Sequence, residues 1–350
     1  KAHKKKLKYY KNKFSVFDVP VKHKKLCLFN NLFGYKNIET ISLYIFLLNI
    51  FKYSQFRPAI FSSFKFFDLI RISNIETLPP LLSYNNFFFK KDIFFNSFTE
   101  IKKYKWKNIS CGIFALSSTL KELKTEEFDI KNINHKKILN KNLFKSIAYT
   151  DAFYNFLKDN EVGSAVFSDP GYVGQGEMFQ ILTNKNIPCY QFFTSVDDNT
   201  IIFKKYLKSN QRDHFDKISD KNWKELKKNL KKNQIKNSLK NIKKLYKKNN
   251  WFPSVGTTRS ENFYSKKEIF KKLQLDKNKP IAVIFNHIFW DGTSFYGDDT
   301  FPTYRHWFIE TIKIACKNKN INWIIKTHPA NKVQNLRYGI NENISEEDKI

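Results

Sequence analysis

The densest group of residues able to do chemistry runs from Ser168 to Glu177 (SDPGYVGQGE). Three of the ten glycines in the chain, Gly171, Gly174 and Gly176, fall inside it. Glycine permits positive φ and lets a ligand approach the main chain closely. A helix starting here would also offer unpaired N–H groups to an anion. The GxxGxG spacing departs from the dinucleotide fingerprint. Asp169 and Glu177 flank the glycines and Tyr172, and either carboxylate could take the proton of an acceptor hydroxyl. The same residues fit a substrate loop and a tight βα turn at a domain boundary.

Two further loops carry polar groups at the ends of strand-like runs. The first is Asn286 to Phe295 (NHIFWDGTSF), where Asp291, Gly292 and Thr293 could bond a hydroxyl-rich ligand or close an Asx-type turn. The second is Lys326 to Asn331 (KTHPAN). Pro329 biases His328 toward extended geometry, so the imidazole projects from the strand end, and with Lys326 it could cradle a nucleotide phosphate. A His-Pro pair by itself does not specify that role.

The elements that must position these loops are read from periodicity. Lys25 to Phe29 and Ala59 to Phe61 read as strands, whereas Phe87 to Phe89 shows no period and stays unassigned. From Ser146 onward, Ala148, Phe153, Phe156 and Leu157 recur at helical spacing. Ser164 to Phe167 follows as a buried strand, Glu177 to Thr183 as a helix and Pro188 to Phe193 as a strand. This strand, loop, helix, strand order belongs to a parallel sheet with a right-handed crossover. A basic helix spans Asp220 to Asn250, with Trp223, Leu226, Leu230, Ile235, Leu239, Ile242 and Leu245 near one stripe. It reads first as a packed helix with a solvated Lys face and second as a membrane-docking surface. Pro253 to Ser265 reads as a connector and Ser265 to Leu275 as a helix. A new α/β unit then opens with strand Ile281 to Phe285, helix Tyr304 to Cys316 and strand Asn322 to Lys326. The implied domains are 1–215, a basic helical connector 216–276, and 277–350. The last is too short for a complete nucleotide-binding domain.

Composition narrows the classes. A chain of 350 residues with 41% hydrophobic residues can bury more than one core. The formal charge of +30 suggests nucleic acid or an anionic surface, but only six of the basic residues are Arg. Lys lacks the planar fork that reads base edges, which argues against sequence-specific nucleic-acid binding and leaves anionic lipid or acidic glycan open. The cysteines Cys27, Cys111, Cys189 and Cys316 form no CxxC pair, so neither a zinc site nor a disulfide scaffold is expected. The longest apolar run, Ile41 to Phe51, is about half of the ~20 residues a bilayer crossing requires.

Taken in order, the GYVGQGE loop, the basic helical region, the NHIFWDGTSF loop and the IIKTHPAN strand end resemble the capsule polysaccharide biosynthesis family, related to Kdo-type transferases. That resemblance implies a GT-B-like glycosyltransferase with two Rossmann-like domains facing a cleft, the acceptor on the first and the nucleotide-sugar on the second. It implies that His328 meets the donor phosphate and that Asn286, Asp291 and Thr293 line the cleft. No metal and no cofactor are implied, the nucleotide-sugar being a substrate. The family's later phosphate-binding turn would lie beyond Ile350, so the second domain is expected to be truncated and this piece to lack part of its donor site. The implied partners are a nucleotide-sugar and a glycan or glycolipid acceptor, in the cytoplasm and in peripheral contact with the inner face of the plasma membrane. A competing reading is a polyol-phosphate polymerase of the teichoic-acid kind; another is a basic membrane- or nucleic-acid-binding protein without enzymatic activity.

Overall fold

The computed structural model describes residues 25–29, 56–61, 76–85, 92–125, 128–194, 201–247, 264–291, 294–296, 300–301 and 303–327. The Ile41 to Phe51 run, Phe87 to Phe89, nearly all of the expected connector, and Gly292, Thr293, His328 and Pro329 lie outside them.

The chain is α/β. Strands β1 (Leu26–Phe29), β2 (Arg57–Phe61), β3 (Glu76–Leu78), β4 (Val162–Phe167), β5 (Cys189–Thr194) and β6 (Ile201–Tyr206) form one sheet in the order β3-β2-β1-β4-β5-β6. All neighbours pair in parallel except β6, which returns antiparallel to β5 with Cys189 opposite Tyr206. Strand order therefore grows outward from β1 in one direction, through β2 and β3, and then restarts at β4 on its other side. Crevices for ligands open beyond the carboxyl ends of strands at such a reversal. The loop that leaves β4 there begins at Ser168.

Helices α1 (Phe98–Lys103), α2 (Cys111–Leu123) and α3 (Ile133–Asp159) lie between β3 and β4, and α4 (Gly176–Asn184) joins β4 to β5. Helix α3 starts at Ile133, well before Ser146, because Asn132 caps it by accepting from the backbone N–H of Asn134 at 2.9 Å and of His135 at 3.3 Å. Its buried positions Leu139, Leu143, Ile147, Phe153 and Phe156 keep the 3- and 4-residue spacing of a helix face. The apolar period before Ser146 is diluted by Asn140, Asn142 and several lysines, which hides that half in the sequence. Asn140 and Asn142 are themselves buried; the first accepts from the Ile93 N–H and the second donates to Thr119 Oγ1. The core is aromatic, with Phe167 edge-on to Phe179 at 5.5 Å and Phe179 edge-on to Tyr206 at 5.3 Å. Each such ring removed from water contributes about 1.5–3 kcal/mol.

The expected basic helix is two helices, α5 (Asp220–Asn229) and α6 (Lys232–Lys247), interrupted at Leu230. Ser219 caps α5 by accepting from the Asn222 N–H. The expected packing of their apolar stripe onto the body is corrected: every described side chain from 216 to 241 is exposed. Helix α7 (Lys266–Lys272) follows, started by a capping box of Ser265 and Glu268. A second, two-stranded parallel sheet then pairs β7 (Ile281–Phe285) with β8 (Asn322–Lys326) through the crossover helix α8 (Tyr304–Lys317). Its small core gathers Ile284, Phe289, Phe308 and Ala315. Among the described residues no helix is long and apolar enough to cross a membrane. All four cysteines are free thiols, and only Cys316 is exposed.

Candidate functional site

The loop between β4 and α4 is held by its own side chains. Gln175 folds back so that its Oε1 accepts from the N–H of Asp169 at 3.1 Å and of Ser168 at 3.3 Å, tying the end of the loop to its beginning. Asp169 Oδ1 accepts from the Gly171 N–H at 3.3 Å, and the Val173 N–H donates to Ser118 Oγ on α2 at 3.0 Å. Gly174 has φ +91°, which other residues rarely adopt. Gly176 matters through close approach: a Cβ there would come within 2.3 Å of the Phe114 ring, so only glycine lets α4 lie this near α2.

The two candidate carboxylates have different surroundings. Glu177 is fully buried at 0% exposure, in the first turn of α4. One of its oxygens accepts from Ser146 Oγ and the other from the Gly174 N–H at 2.7 Å. Burial raises its pKa to about 7, against the lowering effect of Ser146, its own N–H and the Gly174 N–H. Cys111 adjoins this polar cluster, its Sγ 3.3 Å from Thr150 Oγ1, and burial pushes its thiol up to about 12. Glu177 therefore has no open side for a substrate. It acts as the anchor that fixes the glycine loop to α3.

Asp169 is half-buried at the carboxyl end of β4. Burial raises its pKa to about 6; the charge of Asp291 adds to the shift, while Lys121 and the Gly171 N–H oppose it. Asp291 comes from the loop that leaves β7, and its Oδ1 accepts from Tyr172 OH at 2.6 Å. Lys121 Nζ lies over the Tyr172 ring, 3.8 Å from its centre. Burial, reinforced by Asp291 and Asp169, keeps the Tyr172 hydroxyl protonated, and burial together with Asp169 does the same for Tyr296. The group thus comprises two carboxylates, two protonated phenols and one ammonium. It can take a proton from a hydroxyl and can donate hydrogen bonds to a polar ligand.

The β7 loop reaches this group because it is anchored in the larger body. Phe295 is only 2% exposed and belongs to the same core as Phe114 and Phe179. The Arg212 guanidinium stands 5.2 Å over its ring and donates to the Ser294 carbonyl at 3.2 Å. Tyr296 OH accepts from Gln191 Nε2 at 3.4 Å, and its ring meets His214 edge-on at 5.0 Å. At the start of the loop Asn286 is buried, with its N–H donating to the Lys326 carbonyl at 3.1 Å. The Lys326 ammonium lies 5.9 Å over the Phe285 ring.

Of the residues singled out in the sequence, the structure brings together Asp169, Gly171, Tyr172 and Asp291. Gly174, Gly176 and Glu177 form the support beneath them, and Asn286 and Lys326 sit together at the carboxyl ends of β7 and β8. Sequence reasoning missed Lys121, Ser146, Gln175, Gln191 and Tyr296. Tyr296 directly follows the NHIFWDGTSF motif and Gln175 lies inside the glycine loop, so both were within reach. Lys121 and Ser146 required the paths of α2 and α3. Among the described residues no three His, Cys, Asp or Glu side chains are grouped to hold a metal ion. A shallow depression of about 530 Å³, lined by Lys107, Tyr154, Leu157, Lys158 and Lys185, shares no residue with this group.

No protein-family model, curated protein or solved structure matches this chain.

Proposed function

We propose that the chain is a glycosyltransferase that moves a sugar from a nucleotide-sugar to a hydroxyl of a growing surface or capsular polysaccharide or of a lipid-linked glycan. In this reading two Rossmann-like domains face a cleft in the GT-B manner, and the enzyme works in the cytoplasm. The support is motif order together with the position of Asp169. That carboxyl group lies beyond β4, where strand order reverses, facing a carboxylate delivered by the loop of a second parallel βαβ unit.

In the proposed step Asp169 accepts the proton of the acceptor hydroxyl as its oxygen bonds to the anomeric carbon. The bond from that carbon to the donor phosphate oxygen breaks, and its electron pair leaves with the nucleotide. A pKa near 6 makes Asp169 a stronger base than an ordinary aspartate while leaving it mostly ionised at neutral pH. Tyr172 and Asp291 fix the loop against the second unit, and Lys326 with His328 is assigned to the departing phosphate. Basic groups there can neutralise the leaving nucleotide without a metal.

The test is the full-length protein and its Asp169→Asn variant, assayed by nucleotide release across nucleotide-sugar donors with a glycan acceptor. Turnover in the parent should rise with pH through about 6. The variant should lose roughly 10²-fold or more in kcat. An Asp169→Asn protein with parental turnover and the same pH profile removes the base assignment, and a parent inert toward every donor removes the glycosyltransferase reading.

A further inference from the structure

Helices α5 and α6 combine a concentrated positive charge with a run of exposed apolar side chains. Between Asp220 and Lys247 there are eleven lysines against two carboxylates, Asp220 and Glu225, a net charge of +9. A basic helix ordinarily turns its apolar stripe into the protein. Here Trp223, Leu226, Leu230, Ile235 and Leu239 stand at spacings of 3, 4, 5 and 4 residues, and all are exposed, from Leu226 at 42% to Leu239 at 53%. Lys227 Nζ reaches over the Trp223 ring at 5.3 Å. The interruption at Leu230 divides the stripe between two helices, the longer about 24 Å at 1.5 Å per residue.

We infer that α5 and α6 form a docking surface for an anionic lipid bilayer, on which they lie without crossing it. Two observations choose this occupant. Lysines alone would suit nucleic acid as well, but phosphate neutralisation gives no reason to expose a tryptophan, three leucines and an isoleucine among them. Apolar side chains flanked by lysines match an interface where acyl chains begin just below anionic headgroups. Lysine is also suited to that place, because its apolar stem can lie along the acyl boundary while the ammonium stays in water. A second copy of this chain fits poorly, since it would set one strongly cationic stripe against another. The inference does not rest on the glycosyltransferase reading. If that reading also holds, docking would place the β4 and β7 loops near lipid-linked acceptors.

The experiment is co-sedimentation of the full chain with phosphatidylcholine vesicles and with vesicles containing roughly one-third phosphatidylglycerol, from about 50 to about 500 mM salt. Two variants accompany the parent. One replaces Trp223, Leu226, Leu230, Ile235 and Leu239 with Ser, and the other replaces Lys224, Lys227, Lys231 and Lys236 with Gln. Because these side chains are exposed, both variants should melt with the parent. Binding should be at least tenfold tighter to the anionic vesicles, weaken at least tenfold across the salt range, and fall at least tenfold in each variant. Brominated lipid should quench the parent more than Trp223→Phe. The inference is overturned by equal binding to both vesicle types, by a serine variant that binds like the parent, or by tighter binding to duplex DNA that only the Gln variant loses. It is also overturned if light scattering shows a dimer that the serine variant dissolves.

Discussion

Strands β1 and β7 are close in composition and opposite in burial. In β1, Leu26, Cys27, Leu28 and Phe29 are all buried, since β1 lies in the middle of the six-stranded sheet. In β7, Ile281, Val283 and Phe285 share one face by the two-residue period of a strand, and all three are exposed, Phe285 at 68%. Only Ile284, on the opposite face, joins a core. A continuous apolar run is suited to a parallel strand covered on both sides. The larger sheet uses both sides of such strands, whereas among the described residues β7 uses one. Local sequence thus sets how a strand can be buried, and the neighbouring layers determine how much of that is used.

The largest expected contrast sets Phe179, on the helix α4 that packs against the larger sheet, against Phe285 on the exposed face of β7. Phe179→Ala removes a fully buried ring that meets Phe167, Tyr206 and Phe295, and should cost about 3–5 kcal/mol by denaturant unfolding. Phe285→Ala should change stability by no more than about 0.5 kcal/mol. A Phe285→Ala loss comparable to that of Phe179→Ala would mean that the β7 face is covered in solution, and the contrast would fail.

The second contrast lies between the two carboxylates of the glycine loop. Glu177 has a folded pKa near 7, above its ordinary 4.5, so between those values the folded state holds a proton that the unfolded state has released. Stability from this group is therefore complete below about 4.5, declines as pH rises, and is lost above about 7. The loss is on the order of 3 kcal/mol. Glu177→Gln should flatten that decline and overtake the parent in stability at high pH. Its carbonyl can accept from the Gly174 N–H while its amide donates to Ser146 Oγ. Thermal melts of both proteins from acid to alkaline pH measure this, and parallel curves would show that Glu177 titrates in the fold as it does in the unfolded chain.

Much of the sheet was legible from residues 146 to 194 and 281 to 326, because there apolar runs are short, bounded by Gly or Pro and separated by helical spacing. Strand β3 was not legible: Glu76, Thr77 and Leu78 have no period, and their pairing with Ala59 to Phe61 is a tertiary fact. Strand β6 was hidden by Lys204 and Lys205, which the hairpin with β5 tolerates at a sheet edge. At the site, the glycine spacing identified the loop, but nothing local distinguished Asp169 from Glu177. That distinction comes from Ser146 on α3, which takes one carboxylate into the core, and from Phe295, whose burial carries Asp291 to the other.

The smallest effect tests the contact through which the two regions meet. Tyr172 OH donates to Asp291 Oδ1 in a half-buried setting, and a hydrogen bond to a charged acceptor contributes about 1.5–3 kcal/mol, with half-exposure favouring the lower end. A cycle of Tyr172→Phe, Asp291→Asn and the double variant should give a coupling energy of about 1.5 kcal/mol in unfolding. Asp291→Asn also removes a negative charge that raises the Asp169 pKa, so the Asp169 carboxyl should titrate at lower pH in that variant, as read by carbon NMR. Tyr172→Phe keeps the charge and should leave that titration nearer its parental position. The two readouts separate contact from charge. A missing coupling energy would mean that the loops meet without Tyr172, held by the burial of Phe295, and an unmoved Asp169 titration would place Asp291 too far away in solution to act on it.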